Sequence, residues 1–298
     1  MDDVQNVGPA QLSFTAKPAP SRAARVARLL RQNPIGLIGA AIIALVVAIA
    51  LLGPLLAPYE PAQLVGRRLL PPSAGHPLGT DELGRDVLSR IIYGARVSLY
   101  VGVVAVGVAS LLGGLLGVLA AYFGGWLDTL LNAAIDIMLA FPGLVLAIVI
   151  AGLLGPSITN AMIAIGIITT PAYARIARTA VAVIKAEPYV EAAQVVGGST
   201  LHIIGRHVLP NITPLLIVQT SLLFSTAVLS EAALSFLGLG IQPPDPSWGS
   251  MLNASRQYME LAPWLAIAPG LSIMLVVLGF NFLGDGMRDA LDPRLRQD

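Results

Sequence analysis

The sequence predicts an all-α polytopic membrane protein with six transmembrane helices. Hydrophobic residues make up 55% of the 298 residues, and charged residues make up only 12%. A soluble domain carries about 25% charged residues, so this chain has too little charge to cover a soluble surface. The apolar residues also form long stretches without Asp, Glu, Lys or Arg. Backbone polar groups must be satisfied internally in lipid, so these stretches are expected to be helices.

The charge-free stretches define the expected spans. A bilayer core of about 30 Å needs about 20 apolar helical residues. The stretch 137–174 is too long for one span, and Gly155-Pro156 followed by Ser157 divides it, because glycine and proline end helices and serine caps them. The six spans that result are expected at 35–57, 97–121, 129–153, 158–176, 211–236 and 262–284.

These spans divide the chain into segments on either side of the membrane. Twelve of the 18 Lys and Arg residues fall on one face if both termini are cytoplasmic, which the positive-inside rule favours. We therefore expect a cytoplasmic tail with a short basic helix, a first transmembrane helix, an extracytoplasmic loop that ends in a short helix near 82–93, a core of five further helices, and a cytoplasmic C-terminal tail. Their bounds are 1–33, 34–58, 59–95, 96–285 and 286–298.

The loop between spans four and five, at 187–210, is expected to form a cytoplasmic helix–turn–helix. Pro188 suits the first turn of a helix, and Gly197 with the following glycine suits its end. Ser199 or Thr200 can cap a second short helix, which we expect Leu209-Pro210 to end before span five. A rigid protrusion at this position should contact a partner, but the spacing alone does not identify that partner.

The motifs of this loop resemble those of a known family. Glu191-Ala192-Ala193 followed by Gly197 and Leu209-Pro210 resembles the EAA loop of permease subunits of bacterial ABC importers, although His207 stands where that pattern usually has isoleucine. Over residues 34–296 the chain is similar to C-type permeases of the dipeptide/oligopeptide group. Further motifs carry the likeness, including Leu78-Gly79-Thr80-Asp81, Gly94-Ala95-Arg96-Val97-Ser98-Leu99, Arg206-His207-Val208-Leu209-Pro210-Asn211, Pro246-Ser247-Trp248-Gly249 and Arg288-Asp289-Ala290-Leu291-Asp292-Pro293.

The resemblance implies how the loop would work. In the family, the EAA loop fits a cleft in an ATPase subunit, so the expected contact residues here are Glu191, Ala192, Ala193 and Gly197, with Leu209-Pro210 completing the motif. The two alanines allow close helix approach, and Glu191 can pair with a basic residue across the interface. A satisfied amphipathic connector is the structural alternative for this segment.

The resemblance also implies partners. The chain has no G-x-x-x-x-G-K-[ST] loop to hold phosphates, so it is expected not to be an enzyme. Two ATPase subunits would bind ATP and magnesium, leaving no cofactor in this chain. A homologous second permease would complete the pore in the bacterial inner membrane, and an extracytoplasmic solute-binding protein would deliver di- or oligopeptides. Glutathione or nickel complexes are alternative cargoes.

A different class of protein, a stand-alone secondary transporter, would show paired half-span repeats and several midplane charges. Only Asp136 comes close to the midplane. Asp136 and Glu231 are candidates for the translocation path. The structural alternative for Asp136 is pairing with a nearby arginine or hydroxyl group, and for Glu231 it is capping or hydrogen bonding at the helix end. Pro142 and Pro171 are candidate hinges or static kinks.

Other features point to packing and away from chemistry. Gly113 and Gly117 form a small-xxx-small pair, which favours close helix packing over a gate. His76 has no partner with metal-ligand spacing, and His202 and His207 do not share a helix face. We expect no metal site. A net charge of +1 gives no support for nucleic-acid binding, and the absence of cysteine excludes disulfides and thiolate ligands.

Overall fold

The computed structural model describes residues 33–291, and regular structure within that range is helical, without a strand. The expected basic helix at 21–33 lies almost entirely outside the described residues, as does the end of the C-terminal tail. The principal helices are α1 (Pro34–Leu56), α2 (Val87–Phe123), α3 (Gly125–Ala140), α4 (Gly143–Leu154), α5 (Ile158–Lys185), α6 (Pro188–Val195), α7 (Thr200–Ile203), α8 (Leu209–Phe236), α9 (Trp248–Ser255) and α10 (Trp264–Leu291).

Four helical stretches in the described range are long and apolar enough to cross a membrane. They are α1, α2, the stretch from α7 through α8, and α10. The bent pair α3–α4 adds a fifth if it is one span. α5 covers the expected fourth span but is not among them, because polar residues such as Thr169, Thr170 and Arg175 dilute its apolar sequence. The structure thus supports a polytopic all-helical chain with four or five spans of this kind.

The span expected at 129–153, with Pro142 as a hinge or kink, is a pair of helices with a sharp break between them. α3 ends at Ala140 and α4 begins at Gly143, with a bend of 90° between them. Pro142 has no backbone N–H and disfavours a helical conformation of Phe141, which is extended at φ −89° and ψ 141°. Pro171, in contrast, remains inside the continuous helix α5.

The break at Gly155-Pro156 is confirmed. Gly155 ends α4 with a positive φ of 89°, a conformation that glycine adopts without strain. The hydroxyl of Ser157 then accepts a hydrogen bond of 3.1 Å from the Asn160 amide and caps α5.

The separate short helix expected near 82–93 is wrong, because its second half is the start of α2. The Asp86 carboxylate accepts hydrogen bonds of 2.8 Å from both the amide and the hydroxyl of Ser89, which fixes the beginning of α2 at Val87. His76 Nδ1 lies 3.0 Å from Asp86 Oδ1, so this histidine orients the cap. Residues 33–291 contain no cluster of three or more potential metal-ligating side chains.

A buried ionic cluster holds the loop before α2 against that helix. Arg85 Nε lies 2.6 Å from Asp81 Oδ2, and Arg90 Nε lies 3.5 Å from the same oxygen. The carboxylate of Asp81 also accepts hydrogen bonds from the amides of Leu83 and Arg85. These buried charges are paired with one another, and Arg90 connects the loop to α2.

Close helix contacts build the centre of the bundle. A Cβ atom on Gly117 of α2 would lie 2.4 Å from the Ala174 carbonyl oxygen of α5, and one on Gly113 would lie 2.7 Å from the Thr170 carbonyl oxygen. The prediction that these glycines serve packing is therefore confirmed. On the other side of the bundle, Ser221 and Ser225 of α8 donate hydrogen bonds of 3.0 and 3.1 Å to backbone carbonyls of α10.

Replacing Gly117 with leucine should separate α2 from α5. The added side chain has no room beside the α5 backbone, so we expect a loss of about 1–3 kcal/mol in stability and a lower melting temperature in detergent. Gly107→Leu on the same helix is the matched control, because a Cβ there meets nothing within 4 Å. Equal melting temperatures for the two variants would contradict this account of the packing.

Candidate functional site

The segment between α5 and α8 is a helical hairpin made of α6, a glycine turn and α7. Glu187 precedes α6, and Pro188 occupies its first turn. Gly197 has a φ of +85°, which ends α6 and reverses the chain. The Ser199 hydroxyl accepts a hydrogen bond of 3.4 Å from the His202 amide and so caps α7. The segment thus contains two short helices joined by a turn.

The sequence led us to expect that the second arm of the hairpin ends at Leu209-Pro210, and this expectation is wrong. A π-helical turn at Ile204–Val208 joins α7 directly to α8. Pro210 falls in the first turn of α8, where its missing N–H is tolerated. The second arm of the hairpin is therefore a continuous extension of α8.

The base of the hairpin is packed into a small hydrophobic cluster. Val190 of α6 is fully buried, and Ile203 of α7 is 2% exposed. They pack with residues of α2, α5 and the start of α8, namely Val118, Val181, Val208 and Ile212. Because side chains from all these helices meet in one core, the hairpin is fixed relative to the bundle.

The tip of the hairpin exposes apolar side chains. Val195 and Val196 are each 87% exposed, and Leu201 is 83% exposed. We call these three residues the hairpin tip. Large apolar side chains exposed together on an ordered segment are typical of an interaction site. The family motif does not include these three residues, although two valines before a Gly-Gly turn are a readable signal in the sequence.

The expected contact residues lie beside the hairpin tip. Glu191 and Ala192 are exposed on α6, Ala193 is half-buried, and Gly197 forms the turn. Leu209 and Pro210 are also exposed, but they belong to the first turn of α8 at the base. The structure thus brings the first four residues together and leaves the Leu-Pro pair apart from them.

Two ion pairs connect α3 to α5 near the hairpin. Arg178 donates hydrogen bonds of 2.6 and 2.7 Å to the two carboxylate oxygens of Asp128. The candidate path residue Asp136 accepts a hydrogen bond from Arg175. Arg175 also borders a cavity of about 540 Å³ between α5 and α8. The pairing of Asp136 with an arginine was one of the two interpretations of the sequence, whereas the Asp128–Arg178 pair was not foreseen.

Glu231, the other candidate path residue, is only 2% exposed. Its carboxylate accepts hydrogen bonds of 2.8 Å from Ser235 and 3.4 Å from Ser98. Since Ser98 lies on α2 and Glu231 on α8, this contact connects two helices. The geometry corresponds to the alternative interpretation, in which hydroxyl groups satisfy a structural carboxylate.

These features define a class: an all-helical membrane component with a rigid protruding hairpin and, in its sequence, no phosphate-binding loop. A family model described as "Binding-protein-dependent transport system inner membrane component" matches residues 113–297. A second model, the N-terminal TM domain of oligopeptide transport permease C, matches residues 21–72. The chain belongs to the family of binding-protein-dependent transport permeases, whose members are transport subunits.

Individual relatives agree with this assignment. The chain is 48% identical to the dipeptide transport system permease protein DppC of Alkalihalophilus pseudofirmus, over 90% of this chain and 88% of that protein. It is 42% identical to the glutathione transport system permease protein GsiD of Pectobacterium atrosepticum, over 90% of each chain. An inward-facing structure of the MetNI methionine ABC transporter has a similar fold, with a TM-score of 0.57 and 19% identity over 69% of this chain and 98% of that one.

The two α3–α5 ion pairs should differ in strength. The Asp128 and Arg178 side chains are 25% and 33% exposed and make two hydrogen bonds, whereas Asp136 and Arg175 are 67% and 53% exposed. A double-mutant cycle with Asp128→Asn and Arg178→Gln should give a coupling of about 1 kcal/mol in detergent unfolding.

The same cycle with Asp136→Asn and Arg175→Gln is the matched control, and its coupling should be smaller because this pair makes one hydrogen bond where Asp128 and Arg178 make two. A stronger coupling in the control pair would contradict the ranking by burial.

Proposed function

We propose that this chain is one of two permease subunits of an ATP-driven importer for di- or oligopeptides. In this proposal it forms half of the translocation path and receives cargo from an extracytoplasmic solute-binding protein. Its fold and family support the transport role. The observation that carries the coupling mechanism is the exposed apolar hairpin tip on a buried base.

The hairpin is proposed to be the contact with an ATPase subunit. An amphipathic helix laid in a groove is a common recognition mode, in which apolar anchors supply affinity and charges set orientation. Val195, Val196 and Leu201 would be the anchors, and Glu191 would pair with a basic residue of the ATPase. Ala192 and Ala193 would let the two surfaces approach closely. Because α7 continues into α8, force applied to the tip would act directly on a bundle helix.

The proposed orientation places the hairpin and both termini in the cytoplasm. It requires six crossings, with α5 and the bent pair α3–α4 each counted as one span. The distribution of basic residues supports it, since 12 of the 18 Lys and Arg residues then lie on the cytoplasmic side.

The energy source in this proposal lies outside the chain. Two ATPase subunits would bind ATP and magnesium, and this subunit would hold no cofactor. A homologous second permease would supply the other half of the path. Closure of the ATPases around ATP would bias the permease pair between two conformations, as alternating access requires.

Part of the path is proposed to lie beside α5 and α8. The cavity there has a volume of about 540 Å³, with apolar walls and Arg175 at its edge. Asp136 forms an ion pair with that arginine, which is the structural alternative given above, so Asp136 is proposed to position Arg175 at the edge of the cavity. Glu231 is proposed to have a structural role, because its carboxylate is buried and accepts hydrogen bonds from serine hydroxyls.

Peptides are the preferred cargo because the relative DppC, at 48% identity, is named a dipeptide permease. Glutathione is the second candidate, supported by the relative GsiD at 42% identity.

Reversing one charge on the hairpin should weaken ATPase binding. Glu191→Lys should reduce recovery of ATPase subunits with the tagged permease by about fivefold or more, since a like charge would face the proposed basic partner. Val196→Ser should act in the same direction by removing apolar contact area. Pull-down from solubilised membranes measures both effects.

Glu260→Lys is the control for this experiment, because Glu260 is exposed in the segment between α9 and α10, away from the hairpin. Wild-type recovery of the ATPase with Glu191→Lys and Val196→Ser would contradict the proposed contact.

Uptake by the complete importer should distinguish the cargoes. Proteoliposomes that contain all subunits should accumulate a labelled dipeptide only with ATP, and excess unlabelled dipeptide should compete better than glutathione. Preferential competition by glutathione would favour the second cargo. Uptake by this chain alone, without an ATPase, would contradict the proposed class.

A further inference from the structure

A second cavity, of about 480 Å³, lies at the end of the bundle opposite the hairpin. α8 has 28 residues and thus a length of about 42 Å at 1.5 Å per residue. The hairpin precedes its first residue, whereas the cavity is lined by Ile241 and Asp245, which follow its last residue. The volume is within the range of about 300–1,000 Å³ that is usual for small-molecule sites. Its lining includes Tyr93, Arg96, Tyr100, Ile158, Ile241 and Asp245.

Two side chains of opposite charge share this cavity. Arg96 lies on α2, and Asp245 lies in the segment between α8 and α9; both residues are exposed. Neither forms an ion pair within 4.0 Å in the range 33–291. Arg90 is electrostatically close to Asp245, but it directs Nη1 to backbone carbonyls and Nε to Asp81. Arg96 and Asp245 are therefore both open to a ligand.

The wall that carries Asp245 is held in place without a ligand. Arg90 donates hydrogen bonds of 2.9 Å to the Pro61 carbonyl and 3.4 Å to the Pro244 carbonyl. Trp248 Nε1 donates a hydrogen bond of 3.0 Å to the Ile91 carbonyl of α2, and a capping box at Ser247 starts α9. The backbone that carries Asp245 therefore needs no rearrangement to receive a ligand.

We infer that this cavity is a subsite for short zwitterionic peptides as they leave the binding protein and enter the path. Asp245 receives the peptide ammonium group, and the planar guanidinium of Arg96 receives the carboxylate. Tyr93 and Tyr100 contact the peptide side chains and backbone. The inference rests on the proposed function in peptide import and adds a contact that the permease itself makes with the cargo.

A docking surface for the binding protein is the competing explanation for these charges. The concave shape and the presence of both signs within one cavity favour a small ligand with two charged ends. A docking role would change the affinity for the binding protein, whereas a cargo role would change transport after docking. These two effects can be measured separately.

The test uses the complete importer in proteoliposomes. Arg96→Gln and Asp245→Asn are compared with Arg67→Gln and Glu260→Gln, which change exposed residues outside the cavity lining. We expect each cavity variant to lower the initial rate of dipeptide uptake by about fivefold or more. The binding-protein concentration that gives half-maximal ATPase stimulation should stay unchanged, and this readout also shows that the complex is assembled. Arg96→Lys should restore part of the uptake.

Three results would overturn the inference. Wild-type uptake by both cavity variants would show that the charges do not meet the cargo. A lower uptake accompanied by a higher half-maximal concentration of binding protein would assign the cavity to docking. Absence of dipeptide uptake by the wild-type importer would refute the proposed cargo itself and the inference with it, and that result is distinguishable because it does not require a variant.

Discussion

The structure at the hairpin end depends on the burial of Val190. This side chain is fully buried in a cluster to which α2, α5, α7 and α8 contribute. Without it, α6 would be a short helix of eight residues with little to hold it, since isolated helices of this length are not stable in water. With Val190 buried, the hairpin tip is fixed to the bundle, so the tip and the bundle move together.

Polar contacts inside the bundle support the same mechanical unit. The bidentate Asp128–Arg178 pair and the Gly113 and Gly117 contacts join α3, α2 and α5 around the hairpin base. At the far end, Glu231 connects α8 to α2 through Ser98. The helices between the two ends are thus restrained at several depths. A displacement applied at one end can reach the other as a rigid-body shift, which is a recurrent form of conformational switching.

Local signals in the sequence predicted much of this arrangement. Charge-free stretches located the long helices, and Ser157, Pro188 and Gly197 marked helix starts and a turn that the structure contains. The sequence-based expectations were incomplete or wrong where one residue signal is compatible with two backbone structures. Pro142 in an apolar run could kink a helix or break it, and here it breaks it by 90°. Pro210 could follow a helix or begin one, and a π-helical turn makes it the beginning. Arg178 lies 50 residues from Asp128 in sequence and Ser98 lies 133 residues from Glu231, so only the tertiary fold reveals these two contacts.

The proposed function depends on binding of an ATPase subunit to the hairpin tip. The chain contains no cysteine, so Val196→Cys offers a unique attachment point for a short photo-crosslinker. In the assembled importer, this position should crosslink to an ATPase subunit, while Ile241→Cys, at the opposite end of the bundle, should not. Crosslinking of Val196→Cys only to lipid or to extracytoplasmic protein would contradict the account.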